Sequence, residues 1–221
     1  MDLKEIGRIF YRDGYRLAHQ YLGEGVRGEG LKGAVRAMYE AMDGLLGAFV
    51  QRSEAEGKPA SCRKGCSWCC HQPVFAVTHE LLYLRDHVKE SLDPVRQEQC
   101  ISRAREKTLM TLNKPLEELL KVRAACPFLE DGACAVYPAR PMACRIYLSY
   151  SEPACRREYD GPGDRKRIPE LFGFPLRAGQ MMNEGFVSAL KQFGLLSTEL
   201  PLEQGYSSVV TLGQDFGSWI G

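Results

Sequence analysis

Cysteine content constrains this chain of 221 residues more than any other feature of its sequence. Eight of the nine cysteines fall in two segments, 61–74 and 126–163, which are rich in cysteine, proline and glycine and carry little hydrophobic periodicity. Long irregular segments are usually functional or are held by something other than a hydrophobic core. We name them the first and the second cysteine loop. The first contains Cys62, Cys66, Cys69 and Cys70, and the second contains Cys126, Cys134, Cys144 and Cys155.

The spacing of these cysteines predicts a metal site. Thiolates two or three residues apart can converge from one turn on a centre about 2.3 Å away, as tetrahedral zinc or an iron–sulfur cluster requires. Eight thiolates are enough for two four-thiolate sites or for one multinuclear site. Cations beside the cysteines favour such a site, because a four-thiolate zinc centre carries a net negative charge. The flanking cations are Arg63, Lys64, Arg140, Arg145, Arg156 and Arg157.

Disulfide bonds are the alternative interpretation. The vicinal Cys69 and Cys70 could form a strained bridge, and Cys66 and Cys69 have the spacing of a redox pair. A thioredoxin-like role needs a βαβ context, which this sequence does not show. The ninth cysteine, Cys100, shares a predicted helix face with apolar residues, which indicates core packing. His71 directly follows the first cluster and is either a further ligand or a solvated loop residue.

The N-terminal sequence and the composition predict a soluble, cytosolic protein. The first twenty residues mix acidic and basic side chains and lack the apolar stretch of a signal peptide. No window approaches the run of about 20 apolar residues that spans a bilayer. Thiols stay reduced in the cytosol, so clustered cysteines there hold metal more often than they form disulfides. The net charge of +1 gives no reason to expect nucleic acid or an anionic membrane as a partner.

Hydrophobic periodicity predicts a mainly α-helical fold, a bundle of five to seven helices with both cysteine loops brought together on one side. Apolar residues recur every three or four positions over 31–49, which predicts one long helix. A weaker stripe covers 3–21, and the glycines between 23 and 33 are expected to separate the two helices.

Later helices have clearer start signals. A third apolar stripe covers 77–88, with Thr78 as its expected N-cap. Asp93 and Pro94 predict the start of a helix that continues to about Asn113, because a capping acid precedes a proline at the first helical position.

The C-terminal half carries two more helix predictions and few strand signals. Pro115 is expected to open a helix toward Arg123, and a stripe over 182–193 predicts a helix that ends at Gly194. The strand candidates are 134–137, 146–150 and 208–212. We expect one compact unit made of three segments. They are an N-terminal helical segment 1–57, a cysteine-cluster metal-binding domain 58–163 and a C-terminal helical extension 164–221.

Zinc and iron both remain open as the metal. The run Cys62-x3-Cys66-x2-Cys69 has the spacing of the cluster-binding loop of radical S-adenosylmethionine enzymes, and a proline follows Cys126 as in ferredoxin-type ligation. Those radical enzymes are built on a repeated strand–helix barrel, for which this chain is too short and too helical. Structural zinc loops use similar intervals.

A set of runs in the cysteine loops resembles a known family. The runs are Cys62-x3-Cys66-x2-Cys69-Cys70, Pro73-Val74, Cys126-Pro-Phe-Leu, Gly132-x-Cys134-x-Val-Tyr137, Arg140-Pro141 and Cys144-Arg145. They resemble the YkgJ-type cysteine-cluster family, described as a zinc- or iron-chelating domain, over residues from about 60 to 155. Cys155 corresponds to a trailing cysteine of that family. The resemblance implies a bacterial cytoplasmic protein whose cysteines bind zinc or iron.

Two functions follow from this pattern. The first is a metal-binding protein whose cysteine site is structural or senses metal or redox state. The second is an iron–sulfur-dependent methyltransferase that uses S-adenosylmethionine, since flagellin lysine-N-methylases resemble this chain through the cysteine cluster. The sequence shows no strand, glycine-rich loop and helix of the Rossmann type to bind that cofactor. The helices outside 60–160 could also form a surface for a protein partner, so whether the chain is an enzyme stays open.

Overall fold

Helices dominate the computed structural model, which describes residues 2–22, 28–164 and 166–219. In chain order the helices are α1 (Leu3–Leu22), α2 (Glu29–Ala55), α3 (Thr78–Ser91), α4 (Pro94–Thr111), α5 (Leu116–Leu119), α6 (Met142–Ile146), α7 (Glu152–Asp160), α8 (Gly173–Gln192) and α9 (Leu202–Thr211). Of these, α5 and α6 are single turns of four and five residues. The predicted mainly α-helical fold is confirmed.

The sequence explains where several of these helices begin and end. The Asp93 carboxylate accepts hydrogen bonds from two N–H groups of the first turn of α4, and Pro94 opens that helix as predicted. Gly194, at a φ of 76°, follows α8 and ends it as predicted. The expected cap of α3 is wrong, because Val77 is the N-cap and Thr78 is the first helical residue. The Thr78 hydroxyl instead exchanges hydrogen bonds with the backbone of Thr198.

Two predicted helix boundaries need correction. Helix α5 ends at Leu119 instead of continuing toward Arg123, and only Leu119 of this helix is buried, so little apolar packing extends it. Helix α2 begins at Glu29, so the glycine break predicted over 23–33 ends earlier than expected. Residues 23–27 of that break lie outside the described part of the chain.

The long helices pack closely at two glycines. Helix α1 lies along α8 and also contacts α2. A Cβ atom at Gly14 would lie 1.9 Å from the carbonyl oxygen of Met182, and one at Gly185 would lie 1.9 Å from that of Tyr11. Only glycine allows backbones to approach this closely. Buried side chains from 1–57, from the cysteine loops and from the C-terminal helices share one hydrophobic cluster.

Four short strands form two antiparallel pairs in the described residues. Strand β1 (Phe75–Val77) pairs with β4 (Glu199–Pro201), and β2 (Leu129–Glu130) pairs with β3 (Ala133–Cys134). Asp131 and Gly132 connect the second pair, both at positive φ. Within these residues no helix combines the length and apolar character needed to cross a membrane.

Most of the strand predictions are wrong. Segment 208–212 lies mainly in α9, where Tyr206 and Val209 on one face are buried. From 146–150 only Ser149 forms a bridge, with Leu171, and 134–137 keeps only Cys134 in a strand. Runs of three to five apolar residues fit the period of a strand as well as that of a helix. Burial against the helix bundle therefore decides which of the two forms.

Candidate metal centre

The first and second cysteine loops lie side by side. The N–H of Cys126 donates to the carbonyl oxygen of Cys70 at 2.7 Å. Gly65 and Gly132, both at positive φ, bring the loops close, since a Cβ atom at Gly132 would lie 3.7 Å from the Gly65 carbonyl oxygen. The backbone therefore brings thiols from two distant parts of the sequence to one side of the bundle.

The second cysteine loop is less irregular than the sequence indicates. It contains the β2–β3 hairpin, a 3-10 turn at Tyr137–Ala139, α6 and α7. Helix α6 follows Pro141, and the Ser151 hydroxyl accepts the N–H of Ala154 at the start of α7. Proline and serine residues that suggest a loop here act as helix starts.

Four thiols lie beside the hydrophobic core. Cys126 and Cys134 are partly buried and pack against it. Burial raises the pKa of Cys144 well above its usual range, and the charges of the other three thiols raise it further. Burial also raises the pKa of Cys126 to about 12. Each of these thiols is within electrostatic reach of the other three. We name them the inner set, Cys70, Cys126, Cys134 and Cys144.

The remaining four clustered thiols lie around the turn that leads into α7. The backbone N–H of Ser149 donates to the sulfur of Cys62 at 3.3 Å, and Ser149 also acts on Cys155 by favouring its thiolate. Cys66 is within electrostatic reach of both cysteines, and Cys69 is within reach of Cys62 and, more strongly, of the inner thiols Cys70 and Cys144. We name them the outer set, Cys62, Cys66, Cys69 and Cys155.

Cys69 and Cys70 connect the two sets. They lie in one 3-10 turn, Trp68–His71, and their thiols interact. This interaction holds the pKa of Cys69 above its usual range and that of Cys70 below it. All nine cysteines of the chain are free thiols in the structure.

Backbone N–H groups act on three of the sulfurs in the same way. For Cys66, Cys126 and Cys134 the N–H two residues further on favours the thiolate. The donors are Trp68, Phe128 and Val136. Such bonds favour the thiolate and orient it, so they prepare a sulfur to bind a metal.

Two largely buried cations face the inner set. The side chain of Lys107 is 6% exposed, and its ammonium group donates to the carbonyl oxygen of Ala124 at 3.1 Å. Its charge favours the thiolates of Cys70 and Cys126. Arg140 acts in the same way on three inner thiols, and its buried Nε has no hydrogen-bond partner. Four thiolates on one divalent ion leave a net negative charge, which these cations would offset.

Arg145 does not contact sulfur, although it directly follows a cysteine. Its guanidinium donates to the Asp43 carboxylate and to the carbonyl oxygens of Pro138 and Arg140, and it lies over the ring of Tyr39. This side chain supports the turn before α6 from within the core. A cation next to a cysteine in the sequence therefore need not face the sulfur.

The other flanking cations point toward solvent. Arg63 is paired with Glu152, and its side chain is 65% exposed. Arg156 and Arg157 form exposed pairs with acidic residues, and Lys64 is exposed. Only Arg63 of these four acts on a thiol, since its charge favours the thiolate of Cys66.

Cys100 lies in the core within electrostatic reach of Cys134, and His71 ends the 3-10 turn that carries Cys69 and Cys70. Cys100 is fully buried in the hydrophobic cluster, as the sequence predicts, and Arg103 donates to its sulfur at 3.5 Å. The Nδ1 of His71 donates to the carbonyl oxygen of Ser67 at 3.0 Å, and the ring packs on Tyr159. That bond leaves Nε2 as the only nitrogen of this ring with a free lone pair.

Sequence reasoning missed several residues that support the site. Glu80 accepts the N–H of Met142 at 2.6 Å and that of Val77 at 3.1 Å, so it connects the starts of α6 and α3. An acidic residue at the third position of a helix is a recognisable signal for such a role. Lys107 and Ser149 carry no such signal, because their positions depend on how the loops and helices pack.

The donor set fits a thiophilic metal, but the thiols are not assembled around one point. Across 2–22, 28–164 and 166–219, no three His, Cys, Asp or Glu side chains stand together in a group ready to hold an ion. In cysteine-rich metal sites the binding of the ion and the folding of the loops are coupled. The free thiols, the N–H donors and the two cations fit zinc or an iron–sulfur cluster.

Comparison with known proteins supports metal binding. Residues 61–161 match the family model described as "CxxCxxCC: Putative zinc- or iron-chelating domain". This segment contains both cysteine loops as far as Gly161, with all eight clustered cysteines. It agrees with the resemblance found in the sequence. Neither the curated proteins nor the solved structures give a significant match.

Proposed function

We propose that this protein binds zinc or iron through the eight cysteines of its two loops, in a structural or a metal- and redox-sensing role. The contact between the loops carries the proposal. The N–H of Cys126 donates to the carbonyl oxygen of Cys70 at 2.7 Å, so thiols far apart in sequence come within reach of one another. The matched zinc- or iron-chelating family model covers the same residues.

Metal binding would replace protons on these sulfurs. Burial holds the pKa of Cys126 and Cys144 above the usual range, so both are neutral thiols at pH 7 without metal. A bound cation favours the thiolates, and each thiol that ligates it releases a proton. Affinity should therefore fall as the pH falls. The N–H donors and Lys107 oppose this loss by favouring the thiolates.

A sensing role follows from where the loops are attached. Cys144 lies in α6, and Cys155 lies in α7, while Cys66 precedes the 3-10 turn of the first loop. Loss of metal or oxidation of thiols would remove the ligands that join these elements. The methyltransferase alternative rests on the cysteine pattern alone, and no contact among the described residues adds to it.

Metal content of cysteine variants tests the proposal. Protein purified without oxygen should contain zinc, or iron with acid-labile sulfide. Cys144→Ser should lose metal and unfold at a lower temperature, because metal-binding energy is folding energy in such loops. Cys100→Ser is the matched control, since its buried thiol lies outside both sets, and it should keep full metal.

Two results would contradict this function. One is wild-type protein that holds no metal after incubation with zinc or with ferrous iron and sulfide. The other is full metal in Cys144→Ser. Because Cys144→Ser could fail to fold, Cys62→Ser provides a second variant at an exposed position, and it should also lower the metal content.

A further inference from the structure

One edge of α1 carries a row of cations. Its members recur every four residues and are exposed to solvent, and they are Lys4, Arg8, Arg12 and Arg16. Residues four apart on a helix are neighbours on one face, about 6 Å apart along the axis, so these four residues span about 18 Å. We name them the cation row. The net charge of +1 does not show this row, because it averages over the whole chain.

The cation row has no acidic partner among the residues that the structure describes. The ion pairs of this part of the chain include none of its four side chains. An exposed arginine elsewhere is paired, since Arg52 lies 2.8 Å from the carboxylate of Glu56. Helix α1 contains only two acidic residues, Glu5 and Asp13, and neither is paired with the row. The four charges therefore stay free.

These charges repel one another along the helix. Like charges four residues apart destabilise a helix, so the cation row opposes the formation of α1. Close packing on α8, through Gly14 and Gly185, holds the helix in place. A partner with negative charges at a similar spacing would remove the repulsion. The row therefore fits a polyanion better than it fits water.

The structure favours nucleic acid over the other polyanions. Exposed ion pairs with protein carboxylates contribute little, whereas exposed cations on nucleic acid release the counterions condensed on its phosphates. A helix binds a membrane surface through its apolar face. In α1 that face is buried in the core, where it includes Ile6, Ala18 and Leu22. Three of the four cations are arginines, whose planar fork matches the oxygens of a phosphate.

The position of α1 favours a single strand over a duplex. Helix α1 contacts both α8 and α2, so it presents one edge and is not free to enter the major groove, where a whole helix reads bases. Single strands bind along charged surfaces with aromatic rings beside them. Tyr11 is partly exposed and lies one turn after Arg8, which places its ring next to the cation row.

We infer that the cation row binds the phosphate backbone of a single-stranded nucleic acid, with one phosphate at each cation. Contacts of this kind position the strand and do not read its sequence. The inference goes beyond the proposed function, because none of the four residues lies in a cysteine loop. It adds a binding surface at the other end of the sequence.

The salt dependence of binding to a fluorescent oligothymidylate tests this inference. Fluorescence anisotropy of the labelled strand, mixed with the full chain, gives the affinity at several salt concentrations. For single strands the logarithm of the affinity falls with that of the salt concentration, by about 0.7 for each phosphate contact, so four cations predict a slope of about −2.8. Arg12→Gln should reduce the size of this slope by about 0.7. The triple variant Arg8→Gln, Arg12→Gln, Arg16→Gln should leave about −0.7.

The variants are chosen to preserve the fold and the net charge change. Glutamine forms helices about as well as arginine, so α1 should stay intact. Arg52→Gln is the matched control, because it removes the same charge at an exposed arginine that is already paired, and it should keep the wild-type slope. Equal losses in Arg52→Gln and Arg12→Gln would overturn the inference, since binding would then follow overall charge.

Two further results would overturn it. One is the absence of oligothymidylate binding at low salt. The other is binding to phosphatidylserine vesicles without binding to oligothymidylate, which would assign the cation row to a membrane surface. Neither result touches the proposed function, because the metal content of the cysteine variants tests that function separately.

Discussion

Replacing Arg145 by methionine should weaken the support of the inner set from within the core. The side chain of Arg145 is 1% exposed. Its guanidinium donates to the Asp43 carboxylate and to two carbonyl oxygens, of Pro138 and, at 2.9 Å, of Arg140. It also lies 3.9 Å from the ring centroid of Tyr39. These contacts fix the turn that leads into α6. Methionine has no donor, so it would remove all of these hydrogen bonds.

The expected loss of stability is about 3 kcal/mol. Removing one partner of a buried ion pair costs about 3–5 kcal/mol, because the other charge stays unpaired. Here the Asp43 side chain is 47% exposed and also lies 4.0 Å from Arg140, so the lower end of the range applies. The two hydrogen bonds to carbonyl oxygens are part of this loss and agree with its size, since a hydrogen bond from a charged donor contributes about 1.5–3 kcal/mol. Methionine keeps much of the packing volume.

Urea denaturation of the zinc-loaded protein, followed by circular dichroism, measures this effect. The control is Arg156→Met, whose side chain is 69% exposed and whose pair with Asp160 spans 3.8 Å. An exposed pair of this kind contributes about 0–1 kcal/mol, so the control should unfold close to wild type. Arg145→Met within about 1 kcal/mol of wild type would refute the reasoning, because such a loss is typical of a surface pair.

Helix packing and acid stability give two further predictions. Gly185→Ala should lower the free energy of unfolding by about 1–3 kcal/mol, because the added methyl group overpacks the contact with α1. Gly44→Ala is the control, since no atom lies within 4 Å of a Cβ at this position. It should raise the free energy of unfolding by up to about 1 kcal/mol. Urea denaturation of both variants measures the difference, and equal effects would contradict the close helix contact. Burial lowers the pKa of His79 from 6.5 to about 3. As the pH drops from 6.5 to about 3, this histidine binds a proton in the unfolded chain but not in the folded protein. The free energy of unfolding should therefore fall over this pH range, by up to about 1.4 kcal/mol per pH unit. His79→Gln should show a shallower fall in urea denaturation across this range, and parallel curves would contradict the assignment.

The fold was predictable where the signal is local. The stripe that includes Leu31 and Met42 lies buried in α2, and Asp93 caps α4, because both depend on residues within one or two turns. The pairing of β1 with β4 was not predictable. Each strand has three residues, too few to show alternation, and Ala76 meets Leu200 only when the whole chain has packed.

The candidate cysteines are visible in the sequence, but their arrangement in space is not. Cysteine spacing groups the eight clustered thiols by loop, and only the folded backbone shows that Cys70 and Cys126 lie side by side. The contact of Ser149 with the sulfur of Cys62 is also tertiary and has no signal in the sequence. Likewise Lys107, in the second half of α4, is buried, whereas a lysine in a helix is usually exposed.

X-ray absorption at the edge of the bound metal tests the central claim most directly. The measurement uses the full chain purified without oxygen and reports which atoms surround the ion. Eight cysteine ligands predict a first shell made of sulfur alone, about four atoms at about 2.3 Å from each metal. A shell of nitrogen or oxygen at about 2.0–2.1 Å, as histidine or carboxylate ligands produce, would contradict the account.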